Sequence, residues 1–112
     1  VTPDVLDYIL SLLIVRDKSQ MQEEIIQLRQ QIDDLDNQLM ELLAKRMRVC
    51  RQIGQYKKEH NMTVFQASRY NEILEKRGAQ GALCGMSPEF VATVFESVHE
   101  ESVRQQIEII NK

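Results

Sequence analysis

The chain has few of the residues that build sheets, disulfide frameworks or membrane anchors. Among its 112 residues there is no tryptophan, aromatic residues make up 5%, and there are two prolines; this composition favours helix over sheet. The two cysteines, Cys50 and Cys84, have no metal-ligand spacing, and Cys50 adjoins an apolar helical stripe, which predicts a buried thiol. The apolar run from Ile9 to Val15 is too short to span a membrane. We therefore expect a protein of the reducing cytoplasm with no membrane partner.

The charge balance and the missing motifs exclude further classes of function. The net charge is −3, with acids and bases interspersed, whereas a nucleic-acid-binding protein shows a basic face. The sequence contains no Ser-His-Asp set, no phosphate-cradling glycine loop and no metal-ligating cluster. It therefore predicts neither a metal nor a nucleic-acid partner. The length suits one domain with one modest core.

A repeat of apolar residues every three or four positions predicts one long helix. Its start is predicted at the capping-box spacing of Ser19–Gln22, and its end at about His60–Asn61. Such a helix has roughly 40 residues and a length of about 60 Å. A chain this small cannot bury the whole stripe, so part of it is expected to pack against another chain. The stripe consists of Leu28, Ile32, Leu35, Leu39, Leu42, Val49 and Ile53.

Shorter segments complete the predicted all-α fold. Thr2–Asp4 has the cap, proline and acid of a helix start, and this short extra N-terminal helix is expected to end at a charged break at residues 16–18. A further helix is predicted from about Gln66 to Arg77. The last helix is predicted to start at Ser87–Glu89 by the same cap and proline logic. The linker before it is expected to contain Gly78, Gly81 and Gly85.

Arg46 and Lys57 occupy positions of the apolar stripe where leucines are expected. Charges on a core face are unfavourable unless a partner neutralises them, and no acid lies near them on the stripe. They are 11 residues apart, which places them on one face about 16 Å from each other. We therefore expect them to hold an anionic ligand between helices. The alternative is that both side chains extend past a thin core edge to water.

The stripe of the last helix is interrupted in the same way, by Ser102 and Gln106. Ser102 has the alternative of bonding to its own helix backbone, and Gln106 that of a surface residue near a frayed end. Permanent cations together with neutral donors suit electrostatic stabilisation rather than proton transfer or covalent catalysis. His60 and His99 have no base or ligand partner in the sequence, so no chemistry is assigned to them.

Arg29 and Arg69 are further candidates for the anion site. Arg29 lies 17 residues before Arg46, about 25 Å along the helix, so it cannot reach the same small ligand from the same chain. In an antiparallel dimer, the partner's Arg29 would arrive opposite the site. Arg69 opens the second predicted helix. The alternative for each arginine is a solvated surface position.

These residues, in this order, resemble the all-helical class of chorismate mutase. The resemblance covers about residues 24–110 and rests on the joint spacing of several short motifs. The family fold, three helices per chain in an intertwined dimer, agrees with the long first helix predicted above. The motifs are Leu28-Arg29, Ile32–Asp36, Leu42–Arg46, Ile53-Gly54 with Lys57, Arg69, Glu101-Ser102 and Gln105-Gln106.

The resemblance implies a site and a reaction. The reaction is the Claisen rearrangement of chorismate to prephenate, which needs no cofactor, metal or covalent intermediate. The implied arginines hold the two carboxylates of the substrate. Lys57 and Gln106 donate to its ether oxygen, so these two and Arg46 are the expected catalytic residues. The family's site residues fall on Arg29 (from the other subunit), Arg46, Lys57, Arg69, Ser102 and Gln106.

Two positions depart from the family pattern. Many members have a Glu directly after the second-helix arginine and an acid three residues before that arginine; here these positions are Tyr70 and Gln66. The Glu usually contacts the ring hydroxyl of the substrate. We therefore include Gln66 and Tyr70 among the expected substrate-binding residues, as substitutes for that contact.

Residues 1–18 lie outside the family core. Since the chain starts with Val1 rather than Met, we expect residues 1–18 to be the tail of a preceding domain and residues 19–112 to be the mutase domain. The resemblance suggests that the preceding domain is a 3-deoxy-7-phosphoheptulonate synthase.

Two other functions fit parts of the pattern. Isochorismate-pyruvate lyase shares this fold and most of these residues, and the changed positions 66 and 70 keep it open. A non-catalytic dimerisation or regulatory module is a different class, against which the cations on a core face argue. An assay for loss of chorismate, run beside isochorismate, separates the three.

Overall fold

The computed structural model describes the backbone of residues 3–112 and the side chains of residues 19–112. In this part the chain forms three helices, α1 (Pro3–Glu59), α2 (Ala67–Leu83) and α3 (Pro88–Ile110), and no strand. The predicted all-α fold with a very long first helix is confirmed. No helix within the described residues has the length and apolar character needed to cross a bilayer.

α1 is continuous through residues 16–18, where the charged sequence predicts a break. The backbone is helical from Pro3 through Glu59, so the predicted separate N-terminal helix and the start at Ser19 are wrong. The physical reason is that residues 16–18 are charged but include no glycine or proline, and Arg and Lys are good helix formers. The predicted cap at Thr2 lies outside the described residues. The proposed domain boundary at residues 18 and 19 stays a prediction.

The end of α1 falls where the sequence predicted it. Asn61 has a positive φ of 52°, and the Met62 N–H donates to the Lys57 carbonyl at 2.8 Å. This is the left-handed cap of a Schellman motif, with asparagine in the position where glycine is most common. The chain therefore reverses immediately after Glu59, and the residues that follow return towards Lys57.

α2 continues through two of the glycines that were expected to form a linker. Gly78 and Gly81 lie inside the helix, so the predicted end at Arg77 is wrong. Gly81 is buried, and a Cβ there would collide with the side chain of Val91 in α3. The glycine serves a close helix–helix approach, and no turn signal in the sequence distinguishes the two roles.

Gly85 is the glycine that terminates α2. It has a φ of +80°, and the Met86 N–H donates to the Gly81 carbonyl at 2.9 Å, again a Schellman cap. α3 then starts as predicted, because the Ser87 hydroxyl accepts from the Phe90 N–H at 3.1 Å and Pro88 fills the first turn.

Contacts divide the chain into residues 1–42 and residues 43–112. In the first unit, the described part of the predicted apolar stripe is uncovered: its leucines and isoleucine are 54% to 64% exposed. The second unit has a small core, in which Cys50 and Val91 are the buried apolar residues among those described. Exposed apolar surface of this extent marks an interaction face. The residues of the exposed stripe are Leu28, Ile32, Leu35, Leu39 and Leu42.

Candidate active site

The second unit contains a cleft of about 320 Å³ between the end of α1, the start of α2 and α3. Six of the eight predicted site residues line it, and they come from all three helices. The cleft brings together side chains up to 60 residues apart in sequence. The six residues are Arg46, Lys57, Gln66, Arg69, Ser102 and Gln106; Cys50, Ile53, Val64, Ile73 and His99 complete the lining.

Arg46 and Ser102 form a hydrogen-bonded pair at one side of the cleft. Arg46 Nη1 donates to Ser102 Oγ at 2.7 Å, and Ser102 Oγ donates to the Val98 carbonyl at 2.8 Å. The predicted alternative, a bond from Ser102 to its own helix backbone, is therefore confirmed, and its oxygen also accepts from the arginine; contact with a substrate stays a prediction. Ser102 is 4% exposed, so the pair is fixed by packing. The Nε and Nη2 groups of Arg46 have no protein partner among the described residues, which leaves them for a ligand.

Lys57 and Gln106 form the second pair. Lys57 Nζ donates to Gln106 Oε1 at 2.9 Å and to the Val64 carbonyl at 2.7 Å. Gln106 is buried, so the alternative of a surface residue near a frayed end is wrong. Burial lowers the pKa of Lys57, and the neighbouring Cys50 opposes this shift. Because the oxygen of the Gln106 amide is occupied by Lys57, its N–H groups are the ones available to a ligand.

Gly54 sets the distance between α1 and α3 at this second pair. It is buried, and an added Cβ would lie 3.0 Å from the Gln106 Cα and 3.3 Å from the Gln106 Cβ. These distances are shorter than ordinary van der Waals contact, and the closest atom is backbone. A side chain at position 54 would therefore displace Gln106 from Lys57.

We expect Gly54→Ala to lower kcat/KM by about tenfold or more while the protein stays folded, because about 1–3 kcal/mol of overpacking is taken up by shifting α3. Steady-state kinetics and thermal unfolding measure the two effects. Gly78→Ala is the control, since a Cβ at this α2 position meets nothing within 4 Å; it should keep full activity and gain about 0.5–1 kcal/mol of stability. A folded Gly54→Ala enzyme with parental kinetics would show that this contact does not position Gln106.

Gln66, Arg69 and Tyr70 occupy the start of α2. Gln66 is the N-cap residue, yet its side chain makes no capping bond, so its amide remains available in the cleft. Arg69 lines the cleft and also pairs with Glu72 at 3.0 Å, with its side chain 60% exposed. Tyr70 does not line the cleft. Its ring packs against Phe65, and burial raises its pKa, with the negative charges of Glu96 and Glu100 adding to the shift.

His99 lines the cleft, although its sequence context predicts no chemistry for it. Its ring centroid lies 4.4 Å from that of Tyr70, and its Nε2 is buried without a partner among the described residues. Burial lowers the pKa of His99, the charges of Arg46 and Lys57 add to this, and Glu100 opposes it. The imidazole is therefore neutral at neutral pH. A signal was present in the sequence: His99, Ser102 and Gln106 recur at helical spacing on one face of α3.

Arg29 lies in the first unit, where it borders a shallow depression along α1 with Met21, Gln22, Ile25 and Ile26. A groove between side chains of one helix does not enclose a ligand. The predicted role of Arg29 depends on a second chain and stays a prediction.

The chemistry of the cleft follows from its side chains. Three cations and several neutral donors line it, and no carboxylate is among the lining residues in the part of the chain that the structure describes. Such a site binds an anion and stabilises negative charge that develops in a transition state. The alternative that Arg46 and Lys57 merely extend to water does not fit, because each has a protein acceptor at the cleft.

Comparison with known proteins places the chain in a family. The chorismate mutase type II family matches residues 28–107. This match runs from just before Arg29 to just after Gln106, and the chain belongs to that family.

Individual relatives are more distant. The chain is 30% identical over 82 residues to a T-protein of Enterobacter agglomerans, which covers 73% of this chain and 22% of the relative. It is 27% identical over 89 residues to a bifunctional chorismate mutase/prephenate dehydratase of Buchnera aphidicola; the match covers 80% of this chain and 23% of the relative. It is 28% identical over 83 residues to a 4-amino-4-deoxychorismate mutase of Streptomyces pristinaespiralis; the match covers 74% of this chain and 64% of the relative. The chain thus spans less than a quarter of the first two relatives.

Proposed function

We propose that this chain is a chorismate mutase that converts chorismate to prephenate by Claisen rearrangement, a step in phenylalanine and tyrosine biosynthesis. The observation that carries the proposal is the pairing of Arg46 with Ser102 and of Lys57 with Gln106 across one cleft, whose lining among the described residues contains no carboxylate. Family membership supports it independently.

The proposed mechanism uses only binding and electrostatics. Arg46, Arg69 and the partner's Arg29 hold the two carboxylates, so that the enolpyruvyl arm folds over the ring in a reactive geometry. Lys57 Nζ and the Gln106 amide donate to the ether oxygen, where negative charge grows as the C–O bond breaks. These donors are fixed before the substrate arrives, so they stabilise the transition state more than the ground state. The rearrangement is intramolecular, and no group is transferred to the protein.

We propose that the active form is an intertwined homodimer. The support is the exposed stripe of α1 from Leu28 to Leu42, which has no cover among the described residues of one chain. Covering that stripe with a second copy would bury an apolar surface that is costly to leave in water. The same assembly would deliver the partner's Arg29 to the cleft.

We also propose that residues 1–18 connect the mutase domain, residues 19–112, to a 3-deoxy-7-phosphoheptulonate synthase in a cytoplasmic enzyme. One relative is bifunctional by name, which supports fusion in general. The three relatives named above do not carry this synthase in their names. Assay of the full-length protein for condensation of phosphoenolpyruvate with erythrose 4-phosphate tests the proposal.

The test of the main activity is a spectroscopic assay of the purified chain with chorismate and with isochorismate. We expect loss of chorismate and formation of prephenate. Pyruvate release from isochorismate, without loss of chorismate, would make the protein an isochorismate-pyruvate lyase. If the folded dimer consumes neither compound, the remaining interpretation is a non-catalytic dimerisation or regulatory module. The name of the Streptomyces relative raises 4-amino-4-deoxychorismate as another substrate for this chain.

Gln106→Glu separates the proposed donor role of Gln106 from a packing role. A protonated Glu can donate to the ether oxygen, whereas an ionised Glu cannot and also repels the developing charge. A free Glu titrates near about 4.3; burial and substrate carboxylates raise that pKa, and Lys57 lowers it. We expect the variant to be weak at neutral pH and to gain activity as pH falls through the pKa of the new carboxyl.

The measurement is kcat/KM from about pH 4.5 to about pH 8, which spans the Glu pKa range. Gln80→Glu is the matched control, because Gln80 is exposed, accepts from Arg77 at 2.8 Å and does not line the cleft; its profile should follow that of the parent. A Gln106→Glu profile parallel to the parent's would remove Gln106 from the catalytic residues.

A further inference from the structure

His99 is an ionisable residue of the cleft that the proposed mechanism does not use. It lines the cleft from α3, and its Nε2 is buried without a hydrogen-bond partner among the described residues. An imidazolium has an N–H donor at each ring nitrogen, so protonation would bury a donor that has no acceptor. The geometry of the ring therefore favours the neutral form in the free protein.

A cluster of three rings fixes the position of His99 in the cleft. The ring centroid of Tyr70 lies 4.4 Å from that of His99, and the centroid of Phe65 lies 5.7 Å away in an edge-on arrangement. Phe65 precedes α2 and Tyr70 lies in its first turn, so the cluster joins the start of α2 to α3. Aromatic contacts of this kind stabilise a packed arrangement beyond the area that they bury. The imidazole is therefore held at the anion site.

The charges around His99 come from more than one helix. Burial lowers the pKa of His99, the positive charges of Arg46 and Lys57 in α1 lower it further, and Glu100 in α3 opposes them. The two cations that act on the imidazole are thus the same two that line the cleft as its anion-binding groups. The other ionisable groups that line the cleft or surround the ring cluster are Cys50 in α1, Arg69 and Tyr70 in α2, and Glu96 in α3.

We propose that His99 is a further residue of the dianion site, which takes up a proton when the dianion binds and so adds a positive charge beside it. The inference rests on the proposed function, which places two substrate carboxylates among the cations of the cleft. Those carboxylates bring two negative charges to the groups that repel a proton from His99. Nearby negative charge favours the protonated form of an imidazole. Binding therefore changes the balance of charge around the ring from repulsive to attractive.

The direction of the pH effect follows from linkage. A ligand that raises the pKa of His99 is bound with uptake of a proton, and by reciprocity the proton strengthens binding of the ligand. Above the pKa of the complex, His99 is neutral in both states and does not affect affinity. As pH falls through that pKa, affinity increases, and the gain is complete below the pKa of the free protein.

Calorimetry with prephenate, the product of the proposed reaction, measures this proton. The carboxylates of prephenate stay ionised between about pH 6 and about pH 8. At about pH 6, titrations in two buffers of different ionisation enthalpy should show net proton uptake by the untagged parent protein, and the uptake should decrease towards about pH 8. Prephenate should bind about three- to tenfold more tightly at the lower pH.

The chain has two histidines, which provide a matched pair of variants. His99→Gln keeps a polar side chain in the cleft but cannot titrate, so it should lose the proton uptake at about pH 6 and most of the change in affinity. His60→Gln is the control, because His60 is exposed, bonds through Nδ1 to the Tyr56 carbonyl at 2.8 Å and does not line the cleft. It should keep both effects. Lys57 is present in both variants, so its own titration cancels in the comparison.

A second measurement leaves His99 unchanged. In the His60→Gln protein His99 is the sole histidine, so the NMR signals of one imidazole report its pKa directly. Saturation with prephenate should raise that pKa. An unchanged pKa, or proton uptake that persists in folded His99→Gln, overturns the inference and leaves the mutase proposal standing. A folded dimer that binds no prephenate and consumes no chorismate overturns both proposals.

Discussion

Mixing inactive Arg29→Ala chains with inactive Arg46→Ala chains should restore about a quarter of the parental activity. In a two-fold symmetric dimer, random exchange makes half of the molecules heterodimers, and each of these has one intact site out of two. Complementation is expected because each proposed site combines Arg46 of one chain with Arg29 of the other. The measurement is specific activity after joint unfolding and refolding, with subunit exchange verified by native mass spectrometry.

A second mixture is the control for this complementation. Arg46 and Lys57 line the same cleft of one chain, so heterodimers of Arg46→Ala and Lys57→Ala have a defect in both sites. This mixture should stay inactive. If verified heterodimers of Arg29→Ala and Arg46→Ala are also inactive, the two arginines do not act across the subunit boundary, and the dimeric site proposed here is wrong.

Lys57→Ala should reduce kcat by about 10²–10³, because it removes one preorganised donor to the ether oxygen, a loss of about 2.7–4 kcal/mol. Arg46→Ala should act similarly on the carboxylate side. Helicity should be retained in both variants, since each removes a cation from an apolar face. Lys57→Ala also leaves the buried Gln106 oxygen without its donor, which costs about 1–3 kcal/mol of stability. Steady-state kinetics and circular dichroism measure both effects.

The neighbouring lysine provides a matched control. Lys58 is exposed and donates to the backbone carbonyl of Lys112 at 2.9 Å, so Lys58→Ala makes the same change outside the cleft. It should keep parental kinetics. If Lys57→Ala and Arg46→Ala instead lose their helicity, and the folded fraction has parental specific activity, the two cations have a structural role only.

The cleft residues that could be predicted from the sequence are polar residues at apolar positions of a helix. Arg46, Lys57, Ser102 and Gln106 each replace an apolar residue on a core face, and helix geometry alone then puts them on inward-facing positions. Their pairing was not predictable from spacing, because Lys57 and Gln106 are 49 residues apart and meet only through the close approach at Gly54. His99 was missed because no base or ligand partner lies near it in the sequence, although its helical spacing with Ser102 and Gln106 places all three on one face of α3.

Two predictions of helix boundaries were wrong, at the glycines of α2 and at residues 16–18. Gly78 and Gly81 were assigned to a linker because glycine signals a turn in sequence, yet the contact that explains Gly81 is with Val91 in another helix. The charged residues 16–18 were assigned to a break, although charge does not interrupt helical hydrogen bonds. The end of α1 at about His60–Asn61 and the cap at Ser87 were predictable, since helix ends depend on residues adjacent in sequence.

Arg46 lies within α1 and Lys57 lies in its last turn, so their spacing is fixed by helical backbone hydrogen bonds rather than by a loop. Their backbone lost its conformational freedom when the chain folded, so little of it remains to be lost when the substrate arrives. Binding free energy that a flexible site would spend on ordering itself is then available for bending the substrate into its folded conformer. The long helix therefore contributes to catalysis by ordering the two cations before the substrate binds.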